Sequence, residues 1–389
     1  AARQSRACAQ ETLISGFATH RRSQEDVFWL KENAELLNIL ECTGADVAAD
    51  ALQPLQQFYD GAARHISFFR QYYRFILSIC LDLEDLGLPG ERGEAMAGWI
   101  ASRYGVTMDP ATQIMALNGT REGLYNAAMA LCPETKNGQT PAILIPNPFY
   151  QVYMVASLSV AAEPVFLPAT AATGHLPDYA SLPDDILART AIAYVCSPAN
   201  PQGAVADRAY WQRLIALAEK HDFCIFADEC YSEIYREEAP IGALTVAQEM
   251  GADPNRVVLF NSLSKRSNLP GLRSGLIASG AENIKRIKQL RAYSGAPLPG
   301  PLQAAAAAVW ADETHVVENR ALYVEKYKIA DEVFAGLDGY VSPEAGFFLW
   351  LPVPDGEEAA LKLWTQTGVR VLPGAYLAQG SGEGNPGAG

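Results

Sequence analysis

The sequence contains no run approaching the ~18–20 apolar residues that a membrane helix needs. Its richest stretch, Phe75-Ile76-Leu77-Ser78-Ile79-Cys80-Leu81, runs straight into Asp82, so no membrane partner is expected. The first twenty residues mix Arg, Gln, Ser and Glu without an apolar core, and no secretory signal is expected. No metal spacing such as C-x2-C occurs. The seven cysteines, at 8, 42, 80, 132, 196, 224 and 230, are scattered and odd in number. They read as reduced core thiols of a cytoplasmic protein, with no metal site. Cations are in short supply as well, with 30 Lys and Arg against 44 Asp and Glu and a net charge of −14. Such a chain repels phosphate backbones, so nucleic acid is not an expected partner. An initiator Met is absent, and the chain stops at Gly389 within a Gly-rich stretch. Both ends are expected to be cuts, as in a gene fragment or fusion.

What is present is a large apolar inventory: 389 residues, 49% hydrophobic and 10% aromatic. That excludes global disorder and suits two or three domains. Residues 1–86 read as helices. Ser23 and Asp26 resemble a capping box ahead of Val27, Leu30, Leu37 and Leu40. Ile66, Phe69, Tyr73, Ile76, Cys80 and Leu83 then form one helical stripe, which suits either a helical core or a partner-binding face.

From about residue 87 the pattern alternates. Helices are expected at Arg92–Tyr104, Glu122–Leu131, Tyr210–His221 and Glu282–Tyr293. Buried strands are expected at Ile143–Ile145, Ala191–Cys196, Cys224–Ala227 and Val257–Phe260. Continuous apolar strands alternating with helices predict an α/β, three-layer, mostly parallel sheet covered on both faces. Ligands of such sheets bind at the carboxyl ends of the strands. After residue 300, helices at Leu302–Trp310 and Glu318–Phe334 precede Gly339–Leu351, which reads as a strand pair. The expected organisation is a helical segment 1–86, a large domain 87–300 and a smaller α+β unit 301–389.

Five polar features sit just past those strands. Asn118-Gly119-Thr120-Arg121-Glu122-Gly123 opens a helix, as an ordinary N-cap or as a phosphate cradle. Pro146-Asn147-Pro148-Phe149-Tyr150 is a rigid turn presenting an aromatic ring, to pack in a core or to stack on a flat ligand. Ser197-Pro198-Ala199-Asn200-Pro201-Gln202-Gly203 is a loop whose prolines and glycine fix Asn200. Asp228 ends an apolar strand, where a carboxylate is costly unless it caps a turn or meets a cation. Lys265 stands between Ser264 and the Pro270-Gly271-Leu272-Arg273 run, a setting that makes an amine nucleophilic toward carbonyls. Together these are what a pyridoxal phosphate site requires: a Schiff-base lysine, a carboxylate for the ring nitrogen, phosphate donors, a stacking ring and donors to the phenolic oxygen.

Residues 87–389 resemble the class I and II pyridoxal-phosphate-dependent aminotransferases of fold type I. The carrier is Ser262-Leu263-Ser264-Lys265-Arg266-Ser267-Asn268-Leu269-Pro270-Gly271-Leu272-Arg273-Ser274-Gly275, which departs from that family's lysine signature only at Ser274. It is also similar to the succinyldiaminopimelate aminotransferases of lysine biosynthesis. The resemblance implies pyridoxal 5'-phosphate as cofactor and an amino acid with a 2-oxo acid or aldehyde as substrates, with glutamate the usual donor. It implies that Lys265 carries the cofactor and shuttles a proton, that Asp228 keeps the ring nitrogen protonated, and that Tyr231 and Asn200 donate to the phenolic oxygen. Tyr150 stacks on the ring, and Gly119, Thr120, Ser262 and Arg273 hold the phosphate, with Arg121 and Ser264 also cofactor-binding. A homodimer is implied too.

Two departures stand against the family pattern. Residues 1–86 contain neither its Gly-Glu-Pro-like substrate loop nor its subunit-bridging tyrosine. Its substrate-carboxylate arginine is expected beyond Gly389. The five features do not separate transamination from β-elimination by a C–S lyase or from decarboxylation. Readings of another class are a regulator with an aminotransferase-like effector domain, and an inactive cofactor-binding fragment.

Overall fold

The computed structural model describes residues 90–294, 298–380 and 384–387. The capping box at Ser23 and the stripe from Ile66 to Leu83 lie outside the described residues. Helix α1 (Gly90–Tyr104) buries Met96, Trp99, Ile100 and Tyr104, one face at helical spacing. Strand β1 (Ile114–Leu117) and helix α2 (Thr120–Leu131) follow, then β2 (Ala142–Asn147), α3 (Gln151–Ser159) and β3 (Glu163–Pro168). Next come α4 (Asp184–Arg189), β4 (Thr190–Cys196), α5 (Arg208–His221), β5 (Cys224–Asp228), α6 (Ala243–Met250) and β6 (Val257–Ser262). A four-residue helix α7 (Leu263–Arg266) leads to β7 (Gly275–Ala278) and α8 (Ala281–Arg291). Three helices complete the chain: α9 (Gly300–Ala311), α10 (Thr314–Phe334) and α11 (Gly356–Thr367).

The seven strands form one sheet in the order β1-β7-β6-β5-β4-β2-β3. The strands from β6 to β3 are parallel, and β7 runs antiparallel to both β6 and β1. Successive strand residues face opposite sides, and the core divides accordingly. Leu144, Ala193, Val195, Ile225 and Leu259 pack with Trp99, Trp211 and Trp310 on one face. Ile143, Ile145, Tyr194, Phe226 and Phe260 pack with Leu124, Tyr153 and Ile284 on the other. Helix α5 shows the local logic. The Asp207 carboxylate accepts the Tyr210 N–H at 2.6 Å to open it, and Asp222 closes it in the left-handed region at φ 54°.

The expected three-layer, mostly parallel α/β architecture is present, as are the four anticipated strands. Strands β1, β3 and β7 escaped the sequence reading. The strand pair expected at Gly339–Leu351 does not form. Ala345 makes only an isolated bridge to Tyr235, Gly346 turns the chain at φ 83°, and Pro343 has no N–H for a ladder. Among the described residues beyond 298 the regular elements are helical. Among the described residues, no helix is long and apolar enough to cross a membrane.

Candidate active site

The carboxyl ends of β2, β4, β5 and β6 share one edge of the sheet, and β1, parallel to them through β7, ends there too. Asp228 is the last residue of β5 and is buried. Its Oδ2 accepts the Tyr153 hydroxyl at 2.7 Å, and its Oδ1 accepts the Cys230 N–H at a long 3.4 Å. Burial raises its carboxyl above the ordinary value, against those hydrogen bonds and the Lys265 charge. Tyr153 is itself held by stacking on Tyr194, with ring centroids 4.3 Å apart.

Lys265 projects from α7. Its Nζ lies 4.5 Å from the centroid of the Phe347 ring and 5.8 Å from that of Tyr231. Burial lowers its amine below the ordinary lysine value, opposed by Cys230 and Asp228. Ser262 caps α7: its Oγ accepts the Ser264 N–H at 3.0 Å and donates to Ser274 O at 3.2 Å. Tyr231 is buried, edge-on to Phe347 and Phe348, and burial raises its phenol. The turn that carries it is pinned from three sides. Asn261 Nδ2 donates to Glu229 O at 2.8 Å, while the buried Glu233 carboxylate accepts Arg103 Nε at 2.6 Å and Arg320 Nη2 at 2.8 Å.

Gly119 and Arg273 meet at the start of α2. Gly119 has φ 84°, and a Cβ there would stand 2.2 Å from Arg273 Nη2. Only glycine allows that approach. Arg273, at φ 53°, is oriented by donating to Asn118 O at 3.2 Å and Pro270 O at 3.0 Å. No side chain at the N-cap accepts from α2, so the helix start keeps its positive dipole end close to this guanidinium. The Cys230 thiol donates to Thr120 Oγ1 at 3.2 Å, tying this turn to the Asp228 loop. At the rim, Arg121 Nε donates to the Tyr150 hydroxyl at 2.6 Å. Asn147 fastens the same loop to a distant segment. Its side chain donates to Gln379 O at 2.8 Å and accepts the Gln379 N–H at 2.9 Å, while Phe149 N–H donates to Leu377 O at 2.9 Å.

The structure therefore brings Asp228, Tyr231 and Lys265 together and joins Thr120 to them through Cys230. It pairs Gly119 with Arg273, and Arg121 with Tyr150. Ser262 and Ser264 act locally as the cap of α7. Asn200 is half-buried in the loop after β4, and among the described residues no hydrogen bond joins its side chain to the others. Sequence reasoning missed Tyr153, Cys230 and Phe347. Tyr153 had a signal, three residues after Tyr150 and so on the Tyr150 side of α3, whereas Phe347 was legible only as part of an aromatic cluster. Ser274, the one departure from the signature, has a buried Oγ without a partner among the described residues.

Pyridoxal phosphate fits these residues. The Gly119–Arg273 cradle offers a guanidinium and helix N–H groups to a dianion. Asp228 is a buried carboxylate with no ion pair among the described residues, which suits a protonated ring nitrogen.

An α/β sheet with an amine, a buried carboxylate and an anion cradle gathered at its carboxyl edge defines an enzyme built around a carbonyl cofactor. Comparison narrows the class. Residues 87–384 match the family described as aminotransferase class I and II, and the chain belongs to that family of pyridoxal-phosphate-dependent transaminases. Residues 1–108 match a separate family, a domain of unknown function (DUF6902). The chain is 31% identical over 309 residues to the LL-diaminopimelate aminotransferase of Dehalococcoides mccartyi, covering 77% of this chain and 76% of that protein. It is 33% identical over 309 residues to the LL-diaminopimelate aminotransferase of Moorella thermoacetica, covering 76% and 74%. Among solved structures, an aminotransferase from Neisseria meningitidis superposes with a TM-score of 0.75 at 38% identity, covering 81% of this chain and 82% of that one.

Proposed function

We propose that this chain transfers an amino group from an amino acid, with glutamate the expected donor, to a 2-oxo acid or aldehyde of the diaminopimelate type. The place of that reaction is lysine and diaminopimelate biosynthesis, and the agent is pyridoxal 5'-phosphate held at the carboxyl edge. The observation that carries this is the gathering of a half-buried lysine amine, on the helix that follows β6, and a buried carboxylate at the end of the adjacent strand β5. The substrate class is supported by the LL-diaminopimelate aminotransferases at about 30% identity.

Pyridoxal phosphate, when bound, supplies an aldehyde for the amino group and an electron-withdrawing ring. The residues divide the remaining work. Burial lowers the Lys265 amine from the ordinary lysine value, which favours the neutral form that attacks a carbonyl and later moves a proton at the substrate carbon. Asp228 holds a proton on the ring nitrogen, and Tyr153 orients its carboxylate. Tyr231 and Asn200 donate to the phenolic oxygen, and Tyr150 covers the ring. Arg273, Gly119 and Thr120 bind the phosphate, with Arg121, Ser262 and Ser264 beside them. Phe347 excludes water from the Lys265 amine. We read the chain as a cytoplasmic homodimer organised as 1–86, 87–300 and 301–389.

The test is spectroscopic. Protein incubated with pyridoxal phosphate should become yellow, and borohydride should fix one cofactor on Lys265, located by mass spectrometry. Lys265→Ala should lose both signals. LL-diaminopimelate or glutamate should bleach the band, and added 2-oxoglutarate should restore it after diaminopimelate. A colourless wild-type protein refutes the cofactor, and release of ammonia, pyruvate and a thiol from cystathionine, which carries a sulfur leaving group on its β-carbon, assigns elimination instead.

A further inference from the structure

Arg266 follows Lys265 directly, yet its side chain points the opposite way and is wholly buried. Its guanidinium lies against a pair of touching indoles, 5.4 Å from the Trp99 ring and 5.2 Å from the Trp310 ring, which are 4.9 Å apart. Nη1 donates to Val309 O and to Ser267 Oγ, each at 3.0 Å. Nη2 donates to Asp312 O at 3.2 Å, to Trp310 O at 3.4 Å and to the Glu313 carboxylate. Helix α9 ends at Ala311, so Val309 O and Trp310 O are carbonyls that a helix leaves unpaired at its C-terminus. A cation is favoured there by the helix dipole. The neighbouring residue extends the junction: Ser267 Oγ lies 2.8 Å from His315 Nε2 on α10, whose Nδ1 meets Asp312.

Helix α7 is only four residues long and cannot hold itself by backbone bonds alone. Its start is fixed by the Ser262 cap, and the only backbone bonds at its end are those of the Ser267 and Leu269 N–H groups to Leu263 O, each at 3.1 Å, so its anchorage to the rest of the protein falls to side chains. Only a planar fork reaches several carbonyls at different heights on the end of α9, and an ammonium is a single point of charge. Burying a guanidinium is costly compared with an apolar residue of the same volume, so its value lies in geometry.

We propose that Arg266 is the positioning residue for Lys265: by clamping the end of α7 onto the C-terminus of α9, it fixes the backbone from which the Lys265 amine reaches the Tyr231 and Phe347 rings. This deepens the reading of Lys265 as the amine that carries the cofactor, and rests on it. Asp228, Cys230 and Tyr231 are the titratable groups that face that amine. Releasing the clamp returns Lys265 to water and away from all three.

Competitive labelling of the full chain with trinitrobenzenesulfonate across pH, read at Lys265 by mass spectrometry, measures the amine without the cofactor. Hydrogen exchange of the 263–267 peptide measures the backbone. In Arg266→Lys the charge remains and the fork is lost. The labelling midpoint should rise toward that of a free lysine, and exchange of 263–267 should speed at least tenfold while β4 and β5 stay protected. Arg266→Met should enlarge both effects, and if it fails to fold Arg266→Lys decides alone. A folded Arg266→Lys with wild-type midpoint and exchange overturns the proposal and leaves Arg266 a core stabiliser. A wild-type protein that forms no borohydride-fixed adduct with pyridoxal phosphate at Lys265 refutes the cofactor reading instead, and the labelling result is independent of it.

Discussion

Glu229→Gln is expected to stabilise the protein at neutral pH and to leave it unchanged in mild acid. Glu229 is buried directly after Asp228. Its Oε1 accepts the Ala243 N–H at 2.8 Å at the start of α6. Burial pushes its carboxyl from the ordinary 4.5 up to about 7; the Ala243 N–H, Tyr104 and Arg103 oppose the shift and Asp228 adds to it. Below pH 4.5 the group is neutral in the folded and unfolded chains alike. As pH rises from 4.5 to about 7 the unfolded chain releases its proton and the folded chain keeps it, so stability is lost through that window. Above it both states are ionised and the loss is constant. At about 1.36 kcal/mol per pH unit, that gap corresponds to about 3 kcal/mol. Glutamine removes the titration and keeps an oxygen for the Ala243 N–H. Urea unfolding of both proteins should therefore give a difference that grows by about 3 kcal/mol in favour of the variant across that window. Difference infrared spectra should show the wild-type neutral carboxyl disappearing near pH 7. A stability difference that is flat with pH would refute the reasoning.

Three further outcomes follow from the geometry. Gly119→Ala puts a methyl against Arg273 and a side chain in the left-handed region, at a cost of ~1–2 kcal/mol before the clash; affinity for pyridoxal phosphate, titrated by absorbance, should fall at least about tenfold. Tyr153→Phe removes the hydroxyl from the Asp228 carboxylate, worth about 1.5–3 kcal/mol for a bond to a charged group, so the cofactor should bind about tenfold or more weakly by the same titration. Trp211→Ala empties a fully buried site on α5 and should cost about 3–5 kcal/mol in urea unfolding. Unchanged affinity in the first two, or unchanged stability in the third, would contradict the contacts described.

The sequence disclosed the sheet where a strand of five or more residues is buried on both faces. Ala191–Cys196 and Val257–Phe260 are continuous apolar runs because no face meets water. The four-residue β1 and β7 carry too few residues for any period to register, and β3 is a half-exposed edge strand with a proline near each end. The same division holds for the candidate site. Lys265, Asp228 and Arg273 were legible because their chemistry is anomalous where it stands. Tyr153 and Phe347 were not, since an aromatic residue looks the same whether it fills a core or supports a carboxylate. Their roles depend on contacts with β5 and α7 that no local window contains. Arg266 was hidden more completely, as one more cation beside a lysine, and the carbonyls and the carboxylate it binds lie more than forty residues ahead.

The Asn147–Gln379 pairing has a consequence for the order in which the molecule is made. Tyr150 belongs to a loop whose neighbour Asn147 uses both halves of its amide on a backbone 232 residues later. Domains fold as synthesis proceeds from the N-terminus, and β2 to β6 can pair as they emerge. The wall of the site beside Tyr150 has no such freedom. It stays without its last two hydrogen bonds until the ribosome has passed Gln379, and the entropic cost of closing so long a loop is met only once the intervening sheet has formed. A chain made only as far as β7 thus holds the amine and the carboxylate before it holds the wall around them.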